Sequence, residues 1–218
     1  MHTSYPRKAL DLAAALLRAP FDIPPYLRTL PCWGRQPTDY ELPWLTFAAI
    51  RRIERHLDRD SRVFEFGSGG STFFFARHAG QVTCVESHPE WHATVTELAR
   101  QRHYNNLTCL LEPMGNGVGA DYADHSFFRP ILQEHWDLIL VDSFCAFETG
   151  GLGGALRPHA FSLAVRQLKP GGMIVLDDSW LYPELLRPRV GWQIEDCVGV
   201  GPCRYGVSST AVFRWHPG

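Results

Sequence analysis

Downstream of Asp60 the apolar positions switch repeatedly between two periods. Short, nearly unbroken apolar runs at 62–66, 82–86, 107–111, 137–141 and 173–177 have the length and composition of buried strands. Between them, 71–79, 90–103 and 155–168 read as helices. Runs such as LILV and MIVL, apolar on both sides and alternating with helices, predict a parallel sheet covered on both faces. Upstream, Leu45, Ala49, Ile50, Ile53 and Leu57 recur at helical spacing, with Arg51, Arg52, Glu54 and Arg55 on the other side. This predicts a helix over 44–57, laid on the body. The tail differs. After a helical stretch at 181–186 come two strand-like runs at 192–198 and 209–214, too close together for a crossover helix. They should pair as an antiparallel hairpin. The expected fold class is α/β, an open and mostly parallel sheet that ends in an antiparallel β-hairpin.

Residues 1–43 have another character. A helix is expected over 8–18, followed by the proline-rich segment APFDIPPYLRTLPCWGRQPTDYELP. Proline lacks an amide donor and resists helix interiors and central strands, so this segment reads as an irregular arm, either a lid or a packed strap. Tyr26, Trp33 and Tyr40 are its expected anchors. The chain therefore divides into an arm at 1–43 and a ligand-binding domain at 44–218. The apolar stretch after Arg7-Lys8 is no signal peptide: Asp11 interrupts it, Arg18 ends it, and no small-x-small cleavage site follows. No run is long enough to span a bilayer.

Composition narrows the partners. Hydrophobic residues make up 45% of 218 residues and charged residues 20%, an ordinary globular profile. A formal net charge of −2 without a basic stripe argues against nucleic acid and anionic membranes. Six cysteines occur with no CxxC pair, and Cys84 and Cys109 fall inside strands, which points to free thiols in the cytoplasm.

The chemistry begins at VFEFGSGGS, residues 63–71. In open parallel sheets ligands sit at the carboxyl ends of the strands. Gly67 and Gly69 follow the first strand and let a ligand approach the main chain, Ser68 lies between them, and Ser71 opens a helix whose free N–H groups face the same space. Glu86, followed by Ser87, ends the second strand, where an acid can accept both hydroxyls of a ribose. Loop and acid together indicate a nucleoside-containing ligand. The dinucleotide fingerprint needs a third glycine where Thr72 stands. Glu65 would repel a pyrophosphate but suits a ligand bearing ammonium and sulfonium charge, which favours S-adenosylmethionine over NAD.

Taken together, VFEFGSGGSTFFFARHAGQVTCVESHPEW, WDLILVDS and LKPGGMIVLDDSW resemble a class I S-adenosylmethionine-dependent methyltransferase, over about 44–214. The resemblance implies a Rossmann-like parallel sheet with the terminal hairpin. It also implies that Glu65, Gly67 and Gly69 form the acid-x-Gly-x-Gly motif, that Glu86 is the ribose acid, and that Glu112-Pro113 lies at the adenine. Asp142 ends the fourth strand, and Asp177 and Asp178 end the fifth. Two readings stand side by side. Three converging carboxylates can hold a divalent cation such as Mg2+. This resembles metal-dependent O-methyltransferases, although Asp178 replaces their asparagine and their usual lysine is missing from Ser143-Phe144-Cys145. Without a metal, Asp142 orients the acceptor or serves as general base, and Asp177 or Asp178 caps the helix near Trp180. Asp142 and Asp178 are the candidate catalytic residues. His88 and His92 read as solvated imidazoles at a helix start, and His159 as a surface histidine. Loops at 113–136 and 145–156 shape the acceptor pocket, with Tyr122, Phe127 and Phe128 offering an apolar or aromatic surface. The expected acceptor is a small molecule, methylated at oxygen or nitrogen. The alternatives are a non-catalytic nucleoside-binding protein of the same fold and an NAD(P) oxidoreductase.

Overall fold

The computed structural model describes residues 5–32, 34–114, 120–143 and 153–216. Seven strands form one sheet in the order β3-β2-β1-β4-β5-β7-β6. They are β1 (Arg62–Phe66), β2 (Gln81–Glu86), β3 (Leu107–Leu111), β4 (Trp136–Val141), β5 (Leu168–Asp177), β6 (Trp192–Gly199) and β7 (Ser208–Trp215). The first five are parallel. β7 inserts antiparallel between β5 and β6, so β6 again points along β1–β5. Strand order reverses between β1 and β4, and that switch point opens the cleft above their carboxyl ends.

The helices are α1 (Tyr5–Arg18), α2 (Ile23–Thr29), α3 (Pro37–Tyr40), α4 (Phe47–His56), α5 (Gly70–His78), α6 (Pro89–Gln101) and α7 (Gly153–Gln167). Alternate strand residues feed two separate cores. Phe64, Phe66, Ile139, Val141, Ile174 and Leu176 face α7, whose Leu156, Ala160, Phe161 and Ala164 lie on them. Val63, Leu138, Leu140, Met173 and Val175 face α4 and α5 on the other side. α4 starts at Phe47 because the Thr46 hydroxyl accepts a hydrogen bond from the Ala49 amide.

The proline-rich segment is more helical than its composition suggests. Pro24 and Pro25 occupy the first turn of α2, and Pro37 opens α3, positions where a missing N–H costs nothing. Nor is the arm detached. The backbone oxygens of Leu42 and Pro37 come so near Gly70 that a Cβ there would sit 2.3 Å and 2.6 Å from them. Glu41 accepts hydrogen bonds from Arg102 and Tyr104 and pairs with Arg77. Tyr26 is buried and donates to the Arg204 carbonyl, and Asp22 pairs with Arg51. Trp33 lies outside the described residues.

Three other expectations are corrected. The stretch at 181–186 forms two 3-10 turns, Ser179–Leu181 and Pro183–Leu186, because Pro183 cannot continue the first. β5 begins at Leu168, and its ladder with β4 shifts register between Trp136 and Leu138. Phe127 and Phe128 are core residues, 0% and 1% exposed, packed on Phe66. Among the described residues no helix is long and apolar enough to cross a membrane. Cys32, Cys84, Cys109, Cys197 and Cys203 are free thiols.

Candidate active site at the strand ends

The loop after β1 is locked by one buried acid. Glu65 is 1% exposed; one carboxylate oxygen accepts the Ser71 hydroxyl, and the other accepts the Thr72 hydroxyl at 2.6 Å. Thr72 also accepts from the Gly69 amide at 2.8 Å. The residue that breaks the dinucleotide fingerprint is thus the one that ties the loop together. Burial pushes the Glu65 carboxyl up to about 7, against the pull of the two hydroxyls. Gly67 sits at φ +96°, a conformation that side chains rarely adopt, and its amide donates to the Val85 carbonyl at 2.8 Å. Gly69, by contrast, is extended at φ 167°, so no left-handed dihedral requires glycine there; nothing lies within 4 Å of where its Cβ would be.

Glu86 ends β2 beside this loop and is 5% exposed. It accepts from the Ser68 hydroxyl at 2.7 Å and from the amides of Ser87 and His88 at 2.8 Å and 2.9 Å. The indole of Trp91 holds the Ser68 carbonyl at 2.8 Å. Glu112 follows β3, its amide donating to the Glu86 carbonyl. Glu65, Gly67, Ser68, Gly69, Ser71, Glu86, Ser87 and Glu112 therefore lie around one strand-end loop. His92 belongs elsewhere. It is half-buried, and its Nε2 pairs with the Cys109 carbonyl at 3.0 Å.

Across the switch point, Asp142 and Ser143 follow β4, and Asp177 and Asp178 close β5. The organiser here is Arg157, 3% exposed on α7. Its guanidinium donates to the carbonyls of Ser143 and Asp177 at 2.8 Å each and of Asp142 at 3.1 Å, and lies 3.4 Å from Asp142 Oδ1. Sequence reasoning passed over it. Its signal is that Arg157 shares a helical stripe with Ala160, Phe161 and Ala164, all buried. The Asp142 side chain stays 31% exposed; its partial loss of water raises the carboxyl to about 6, Arg157 opposes that rise, and Asp178 and Glu65 add to it. Asp177 is 4% exposed, accepts from the Thr210 hydroxyl at 3.0 Å, and is pushed well above the usual carboxylate range by burial and by the nearby Asp142 and Asp178.

Neither aspartate caps a helix through its side chain. Asp178 stands at the cap position of the turn after β5 in the left-handed region (φ 49°, ψ 42°), without a side-chain cap bond. It accepts instead from Trp180 Nε1 at 3.2 Å and Ser208 Oγ at 3.1 Å, and pairs with Arg204 at 3.5 Å. Such strain in a non-glycine residue is held by surrounding contacts and clusters at functional sites. Among the described residues no three His, Cys, Asp or Glu groups are placed to hold a metal ion. Ser143 Oγ is buried beside Gly67 with no hydrogen-bond partner among the described residues. His159 is wedged against Tyr122 and Phe128 rather than lying free on the surface. Cys145 and the glycine run at 150–151 lie outside the described residues.

No protein-family model and no curated protein matches the chain. Solved structures do. An O-methyltransferase from Bacillus cereus in complex with SAH aligns with a TM-score of 0.58 at 16% identity, over 87% of this chain and 86% of its own. TomG, an O-methyltransferase from Streptomyces achromogenes in complex with SAM, aligns with 0.56 at 15% identity, over 94% and 88%. An rRNA methylase from Streptococcus thermophilus aligns with 0.57 at 11% identity, over 78% and 95%. The chain thus has the Rossmann-like fold of the class I methyltransferases, terminal antiparallel hairpin included.

Proposed function

We propose that this protein transfers a methyl group from S-adenosylmethionine to an oxygen or nitrogen of a small-molecule acceptor. The observation that carries this reading is the strand-end loop, with Gly67 at φ +96° and Glu86 beside it. The groups around it suit a cationic nucleoside. The Glu86 carboxylate stands beside it, and the buried Ser143 hydroxyl next to Gly67 has a hydrogen bond to give. Glu86 would accept the ribose hydroxyls in place of Ser68. The main chain of Gly67, Ser68 and Gly69, with Ser71 opening α5, would hold the amino-acid end, while Ser87 and Glu112 would border the base. Glu65 acts through the loop that it fixes. When bound, S-adenosylmethionine supplies a methyl group made electrophilic by the sulfonium.

The chain's own part is to position the acceptor and take its proton. Asp142, with a pKa of about 6, is ionised at neutral pH and can accept a proton from an O–H or N–H. Asp178 faces the same end of the sheet and would orient the acceptor. Positioning of this kind is worth several kcal/mol in order of magnitude. A small acceptor suits a chain of net charge −2 with acids around its cleft. The non-catalytic reading draws on the arginine facing each aspartate, which would serve a purely structural arrangement equally well.

Calorimetry with S-adenosylmethionine and its demethylated product tests the site. Binding to the wild type and its loss in Glu86→Ala are expected; unchanged affinity in that variant contradicts the assignment. Labelled methyl donor incubated with a metabolite extract, with and without chelator, separates enzyme from binder and tests metal dependence. Turnover of a product so found should rise as the pH passes about 6, as Asp142 loses its proton. Full activity in Asp142→Ala would remove it from the mechanism.

A further inference from the structure

We infer a second ligand site on the α4 face of the terminal hairpin, an arginine-lined hollow that takes the phosphate group of a small phosphorylated ligand. A cavity of about 250 Å3 is bounded by Arg52, Arg55, Gln193, Glu195, Val212 and Arg214. It lies away from the strand-end cleft: Arg214 pairs with Met173, whereas the cleft end of β5 is Asp177, paired with Thr210. The methyltransferase reading uses none of these six residues.

The charges around the hollow do not cancel. Glu195, the acid that lines it, is held by Arg52 through two hydrogen bonds, from Nε and from a terminal nitrogen. The side chains of Arg55 and Arg214 make no hydrogen bond or ion pair among the described residues. Two guanidinium groups are therefore left without counter-charge around one concavity, in a chain whose net charge is −2. Arg51, a further cation on α4, turns away to Asp22, and Glu54, on α4, is exposed. Arg55 sits in the last turn of α4, where a cation suits the helix dipole, but the dipole does not account for Arg214 arriving at the same hollow from β7.

A guanidinium presents parallel N–H donors that match a phosphate's oxygens, and two of them balance its double charge. The Gln193 amide adds an uncharged donor. The volume accepts a phosphate with a few attached atoms and falls below the 300–1,000 Å3 typical of larger ligands. A nucleic-acid backbone needs a stripe of cations along its path, and a single hollow away from the cleft does not provide one.

Titration of the full chain with inorganic phosphate at constant ionic strength, followed through the arginine Nε–H resonances and by calorimetry, tests the site. Saturable shifts confined to Arg52, Arg55 and Arg214 are expected, and glycerol 3-phosphate should compete while S-adenosylmethionine should not. The double variant Arg55→Gln/Arg214→Gln should weaken binding about tenfold or more, as loss of charge-assisted hydrogen bonds implies. Arg100→Gln, on an exposed helix face, should leave it unchanged. Shifts that never saturate, or an unaltered constant in the double variant, overturn the site. A short RNA that binds these arginines more tightly than glycerol 3-phosphate, with steep salt dependence, overturns the small-ligand assignment.

Discussion

At the ends of β1 and β2, carboxylates are held from the two adjoining strand-end loops: Glu65 by Ser71 and Thr72, and Glu86 by Ser87 and His88 beside it and by Ser68, 18 residues earlier. At the ends of β4 and β5 the partners come from other elements, α7 and β7. Arg157 stands 15 residues from Asp142 and 20 from Asp177, and Thr210 stands 33 from Asp177. The difference is energetic as well as topological. The first half is a preorganised loop that needs only its own segment and a strand beneath it. The second is a cluster of like charges, tolerable because one buried guanidinium binds three strand-end carbonyls. On the proposed function, the donor half rests on its own two loops and the acceptor half on α7 and β7, so the two can diverge independently.

The sharpest way to break this contrast is Arg157→Met. It keeps the bulk, strips the donors from three carbonyls and leaves Asp142 and Asp177 facing each other. A loss of about 3–5 kcal/mol is expected in urea unfolding, as for removing one partner of a buried pair. A loss below about 1 kcal/mol, the range of a surface pair, would mean that the acceptor half stands without its clamp.

Glu65 gives the next largest effect, and its sign is distinctive. Its folded pKa, about 7, lies above the ordinary 4.5, so the folded state holds the proton more tightly than the unfolded chain. Stability from this group is present below about 4.5 and is lost as the pH rises towards 7. The swing is on the order of 3 kcal/mol. Glu65→Gln should flatten the dependence of Tm on pH across that window; an unchanged slope would show that the carboxyl is not held as described.

Gly67→Val should cost about 1–3 kcal/mol through the forced dihedral and should also abolish nucleoside binding. A variant that binds S-adenosylmethionine normally would detach the glycine from the site. The smallest effect is expected from Asp178→Asn. Asparagine populates the left-handed region readily, so stability should change by no more than about 0.5 kcal/mol, read from Tm. If methyl transfer falls while Tm holds, Asp178 acts on the acceptor; if Tm collapses, its ion pair with Arg204 is structural.

The strand and helix periods at 62–111 placed β1, α5, β2, α6 and β3 within a few residues, and Glu65, Gly67 and Glu86 were legible because their setting is local. Phe127 and Phe128 were misplaced for the opposite reason. Aromatic residues in a loop rich in glycine look like a binding surface until Phe66, some 60 residues earlier, is seen beneath them. Prolines mark where helices begin as well as where they fail, and composition alone does not separate the two uses in α2 and α3.

The amino-acid order by itself determined the alternation that makes a parallel sheet, the closing hairpin and the glycine-acid loop, because each is written in short apolar periods and in turn-forming residues between them. Only the folded chain decided that β7 enters between β5 and β6, that Arg157 clamps the strand ends, and that Arg52, Arg55 and Arg214 share one hollow. Those arrangements rest on side chains meeting across tens to more than a hundred residues, where local preference carries no information and burial selects the partner.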